Sequence, residues 1–138
     1  MKKYANNSPE AQARILVMQM ICDGNFDPAE IDELEHLHVY EALGISRKDF
    51  IVVLQDYCND LSNEADDEGQ IKLIDRDRID MLLDTVDDPK KRLLIAALAL
   101  DISKADNEFS DAELAVFRHM LGRWHLSLEQ LQAAFAAI

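Results

Sequence analysis

Apolar residues along the chain recur at spacings of three and four, and no stretch alternates as a strand would. Ile15, Met18 and Cys22, widened by Leu16 and Met20, predict a first helix from about Ser8 to Cys22, halted at Asp23-Gly24. A second starts at Asp27 and carries Ile31, Leu34, Leu37 and Leu43 as far as Gly44. A third opens at Ser46, with Phe50, Val53, Leu54, Tyr57 and Leu61 at helical spacing, and fades into the acidic stretch 59–69, which reads as a loop. A linking helix fits Asp75 to Val86 through Ile79, Leu82 and Leu83. The next begins at Asp88 and is apolar nearly all round from Leu93 to Leu100, the pattern of a helix in the middle of a bundle. A sixth carries Leu114, Phe117, Met120, Leu121 and Trp124, and a seventh starts at Ser127 with Leu128, Leu131 and Phe135.

The punctuation agrees with this division. Ser8-Pro9, Asp27-Pro28 and Asp88-Pro89 each place a capping side chain before a proline at the first helical position, where the missing N–H costs nothing. Asp27/Glu30, Ser110/Glu113 and Ser127/Gln130 have the spacing of reciprocal capping boxes.

The chain also repeats itself. Asp23-Gly24-Asn25-Phe26-Asp27-Pro28-Ala29-Glu30 echoes Asp106-Asn107-Glu108-Phe109-Ser110-Asp111-Ala112-Glu113 at a constant offset, since 106 − 23 = 83 and 113 − 30 = 83. The match continues with Ile31, Leu34, His36 and Leu37 against Leu114, Phe117, His119 and Met120. Gly44-Ile45-Ser46 parallels His125-Leu126-Ser127, shifted by two residues. The expected architecture is an all-α, single-domain bundle over 1–138, of about seven helices. Two pseudo-symmetric three-helix halves, about 8–62 and 88–138, are joined by the linking helix.

Charge narrows the partners. Lys and Arg total 14 against 27 Asp and Glu, a formal net charge of −13. Phosphate backbones repel such a surface, so nucleic acid is not an expected partner. Divalent cations and basic protein surfaces are. Cys22 and Cys58 have neither metal-ligand nor disulfide spacing and lie among apolar residues, so buried free thiols in a reducing compartment are expected. No apolar run approaches the ~18 residues that span a bilayer, and the start has no signal-peptide core. The expectation is a cytoplasmic protein with no direct membrane insertion.

The two acidic turns are the candidate site. Each lies between the end of one helix and the start of the next, where clustered oxygen ligands suit a hard divalent cation. The second half of an EF-hand loop is reproduced by the first turn, but the opening ligand positions would fall on Gln19 and Ile21, and on Ile102 and Lys104 in the second copy, so that assignment fails. Capping alone accounts for Asp27/Glu30 and Ser110/Glu113. Gly24 and Asn107 read as left-handed turn residues, and Phe26 and Phe109 as staples. Asp23 and Asp106 are harder to explain, because each puts a negative charge at a helix C-terminus, against the dipole.

The run Ala105-Asp106-Asn107-Glu108-Phe109-Ser110-Asp111-Ala112-Glu113, with its copy at Asp23 to Glu30, resembles the repeated motif of the tellurite-resistance TerB family. The resemblance implies a seven-helix bundle with pseudo-symmetric halves, a role in tellurite resistance or stress response, and a metal held by the acidic turns. It points to Asp23, Asp27, Glu30, Asp106, Glu108 and Glu113 as ligands of a divalent cation, with Ca²⁺, Mg²⁺, Mn²⁺ and Zn²⁺ all open. Asn25 stands where an acid is common, and Ser110 where the first copy has Asp27, so the halves are unequal. Similar domains precede some DnaJ-like co-chaperones. That implies the alternative, an acidic interaction or scaffold module for a basic or membrane-associated protein partner, with the turns serving only as caps.

Other residues add little chemistry. His36 and His119 are equivalent in the repeats but lie about 240° round the helix from the turn glutamates, and read as surface or packing residues. His38 lies on another face from His36. Lys90, Lys91 and Arg92 open a helix at its unfavourable end, with Asp87 and Asp88 beside them. No phosphate loop and no Gly-x-Ser-x-Gly motif is present, and no enzymatic activity is expected.

Overall fold

The computed structural model describes residues 1–24, 26–64, 75–105 and 110–137, with only the backbone described at 104–105 and 134–137. Among the described residues the chain forms eight helices and no strand. These are α1 (Pro9–Ile21), α2 (Ala29–His36), α3 (Val39–Leu43), α4 (Arg47–Asn63), α5 (Arg76–Leu83), α6 (Pro89–Ala105), α7 (Asp111–Trp124) and α8 (Leu128–Ala137). None of the described helices is long and apolar enough to cross a membrane.

The caps form where the side chains dictate. Ser8, Ser46 and Asp75 each accept a hydrogen bond from the backbone N–H three residues on, and Pro9 opens α1. Asp88 Oδ1 takes the Lys90 N–H at 2.9 Å at the head of α6. Ser127 and Gln130 close a full box at α8, with Ser127 N–H on Gln130 Oε1 at 2.8 Å and Gln130 N–H on Ser127 Oγ at 3.2 Å.

α1 is the helix everything else surrounds. Every residue from Ala11 to Ile21 is buried, and α1 packs on α3, α4, α5, α6 and α7. The expected one-sided stripe is therefore corrected to burial all round. The polar residues inside it are tolerated because each bonds to the backbone of another segment. Gln12 Nε2 donates to Asn7 O at 3.0 Å and Gln19 Nε2 to Glu113 O at 2.7 Å. Arg14 donates to Lys2 O, its guanidinium lying 4.6 Å from the Tyr4 ring. α6 is the second inner helix, buried from Ile95 to Ala99, while Leu93, Leu94 and Leu100 of the expected apolar run are only half-buried.

The halves match. Adding 83 to 9–21 of α1 gives 92–104, inside α6, and α4 packs on α1 as α8 packs on α6. The expected single second helix is instead broken into α2 and α3, at His38 with φ 59°. The offset explains the break, falling from 83 at His36/His119 to 81 at Gly44/His125. Two extra residues would rotate a continuous helix by about 200° and carry its apolar face to solvent. Breaking and restarting returns Val39, Tyr40 and Leu43 to the core.

Three smaller expectations also change. α4 continues through Asn63, so the acidic loop starts later than 59, and 65–69 lies outside the described residues. Cys22 is buried, but Cys58 is exposed, one position past the inward-facing Tyr57. Arg92 is held less by Asp87 and Asp88 than by packing: Nε donates to Val86 O at 2.7 Å and the guanidinium lies 5.7 Å from the Trp124 ring.

Candidate metal centre

α1 ends where α7 begins, and this meeting builds the site. Cys22 caps α1 in helical geometry, Gly24 turns the chain at φ 80°, and Gly24 N–H closes on Ile21 O at 2.9 Å. Asp23 is thus fixed just past the C-terminus of α1. Across from it, Ser110 caps α7: its Oγ takes the Glu113 N–H at 3.1 Å and donates to Glu113 Oε1 at 3.1 Å. The Ser110 N–H also bonds the Glu113 carboxyl. That is the reciprocal box the spacing implied, and it holds Glu113 facing α1.

The Asp23 carboxyl comes within hydrogen-bonding reach of the Glu113 carboxyl. One acid of each turn therefore meets the other across the two repeats. Burial, above all, raises Glu113 from its ordinary value, and the charge and hydrogen bond of Asp23 add to this. The Ser110 hydroxyl and N–H pull the other way. The buried Cys22 thiol is pushed up to about 12 by burial first and then by Glu113 and Asp23, and its Sγ donates to Gln19 O at 3.2 Å.

The remaining expected ligands divide. Asp27 is exposed and points into its own helix start, with Oδ1 accepting the Ala29 N–H at 2.9 Å and Glu30 N–H closing on Asp27 O at 2.8 Å. α2 begins one residue later than expected, with Pro28 at its cap. Glu30, half-buried, opens α2 with its Oε2 shielded from solvent. Asp106 and Glu108, with Asn25, Asn107 and Phe109, lie outside the described residues. Among the described residues no three His, Cys, Asp or Glu side chains converge into a metal cage. His36 is exposed, whereas His119 binds Asp80 of α5 through Nε2, so both are packing or surface residues and neither joins the acidic pair.

One residue at this site entered the sequence reading only as an opening position of the EF-hand assignment that fails. Gln19, 2% exposed, sits on α1 four residues before Asp23 and grips the Glu113 carbonyl. Its other amide atom, Oε1, is buried and accepts no hydrogen bond from the described residues. Such an orphaned acceptor costs about 1–3 kcal/mol. In the second repeat the same position is Ile102, which is buried and apolar.

No family model, no curated protein and no solved structure matches this chain. Its own fold and site define it: an all-helical bundle of two repeats, with an acidic pair closed across them.

Proposed function

We propose that this is a non-enzymatic, TerB-like protein of a stress-response context that binds a divalent cation between the two acidic turns. Asp23 and Glu113 are its anionic pair. The observation that carries the reading is the contact between these two carboxyls, one from each repeat. Two carboxylates cannot both stay ionised in contact without a proton or a cation to relieve them. Asp23 also sits at the negative end of α1, where a bound cation would turn an unfavourable placement into a favourable one.

The test is thermal unfolding of chelator-treated protein, titrated separately with Ca²⁺, Mg²⁺, Mn²⁺ and Zn²⁺. The expected result is a saturable rise in Tm with at least one ion, corresponding to about 2.7 kcal/mol at a hundredfold excess over Kd. Asp23→Asn with Glu113→Gln should abolish the response while raising the stability of the ion-free protein, because the like-charge contact is gone. No shift with any ion at millimolar concentration overturns the reading.

The second reading, an acidic module for a basic protein partner with the turns only as caps, draws on one further feature. An apolar groove of about 360 Å³, lined by Ile21, Phe26, Leu54, Cys58 and Leu61, lies beside the first turn. Capture of a basic partner that weakens with salt and ignores chelator would favour it.

A further inference from the structure

The orphaned amide of Gln19 stands out because its position is so tightly determined. Gln19 Nε2 donates to the Glu113 carbonyl, which only the NH₂ side of the amide can do, so Oε1 is the remaining atom. The planar amide holds Oε1 about 2.3 Å from Nε2, beside the residue whose carboxyl meets Asp23. Gln19 and Asp23 are also four residues apart on one face of α1. Gln19 therefore stands at the α1–α7 junction where Asp23 and Glu113 meet, and its Oε1 is a buried acceptor without a donor among the described residues. Packing does not require it, since the repeat fills the same place with Ile102.

We infer that Gln19 Oε1 is a neutral ligand of the cation held by Asp23 and Glu113, a step that rests on the function proposed above. A third carboxylate here would add to the repulsion, whereas an amide oxygen adds a ligand without charge. The donor set is oxygen alone among the described residues: Cys22 Sγ is buried and donates to Gln19 O, and no histidine joins the corner. Such a set takes a hard cation of the Ca²⁺, Mg²⁺ or Mn²⁺ kind in preference to Zn²⁺. It also makes the two halves chemically different, because Ile102 cannot supply the counterpart ligand.

The experiment uses the full chain, chelator-treated, with the metal ions alone as probes. Calorimetric titration of Gln19→Met should show affinity for Ca²⁺, Mg²⁺ or Mn²⁺ weakened about tenfold or more. Its ion-free Tm should stay close to that of the parent, because removing the orphaned acceptor offsets the lost hydrogen bond from Nε2 to Glu113 O. In the parent protein the Gln19 side-chain carbonyl ¹³C resonance should move on saturation with Ca²⁺ or Mg²⁺, a readout available even if the variant folds poorly. If Gln19→Met binds as tightly as the parent and that resonance stays fixed, the amide meets only water or nothing. The inference then fails, while loss of binding in Asp23→Asn/Glu113→Gln keeps the cation reading intact. If the parent binds no ion, both fail together.

Discussion

At the scale of single residues, the repeat shows one turn solved in two ways. After α3, Gly44 takes φ 73° and Ile45 N–H returns to Tyr40 O at 3.1 Å. After α7, His125 takes φ 55° and Leu126 N–H returns to Leu121 O at 2.9 Å. Both are left-handed helix ends followed by an apolar residue and a capping serine. Only the first has the residue suited to it. A Cβ added at Gly44 would meet nothing within 4 Å, so the cost of Gly44→Ala is wholly conformational, about 1 kcal/mol. His125→Gly should give the opposite sign, a gain of up to about 1 kcal/mol after the greater freedom of glycine in the unfolded chain is subtracted. Paired urea unfolding curves check both, and equal signs would contradict the shared geometry. These two turns were legible in the sequence because capping is local chemistry. Gln19 was legible only as an opening position of the failed EF-hand assignment, because its burial depends on the neighbours that close over it.

At the scale of elements, the helix starts were legible and the environments were not. Serine, aspartate and proline act within four residues, so the caps at Ser8, Ser46, Ser110 and Ser127 could be read from the chain alone. By contrast, α2 and α3 start at Pro28 and His38 without a side-chain cap. The all-round burial of α1 depends on five other helices, and the break at His38 depends on a two-residue difference between repeats that only packing reveals. The α5–α7 contact was equally hidden. Asp80 on α5 and Asp84 at its C-cap face His119 and Arg123 on α7, with the Arg123 guanidinium gripping Asp84 through two bonds of 2.9 and 2.8 Å. The hydrogen bond from Arg123, ahead of its charge, holds Asp84 below its ordinary 3.8. A carboxyl lowered on folding lends stability above its unfolded value and loses it as pH falls through the folded one. Arg123→Gln should therefore lower Tm slightly at neutral pH, since the pair is exposed. The gap to the parent should close below pH 3.8 as Asp84 protonates in both. A gap that stays constant down to acid pH would mean that Arg123 acts through packing alone.

At the scale of the whole molecule, the net charge of −13 must be separated from the site, because any cation relieves a protein this acidic. General screening and a specific site differ in range and in saturation. Raising NaCl from ~0.01 to ~0.15 M shortens the Debye length from about 30 to about 8 Å, which weakens repulsion across the surface but barely touches two carboxyls in contact. The chelator-treated protein should therefore gain Tm with NaCl. Asp23→Asn/Glu113→Gln should gain almost as much, since it removes only two of the 13 net negative charges. A divalent ion added at ~0.15 M NaCl should then raise Tm in the parent and leave the double variant unmoved. If both respond alike, the ion acts on the acidic surface as a whole, and the contact between Asp23 and Glu113 is relieved by a shared proton. The repeat already announced two acidic turns in the sequence. That one acid from each would meet, through the ends of α1 and α7, is a property of the folded bundle, and this comparison of salts tests what that meeting is for.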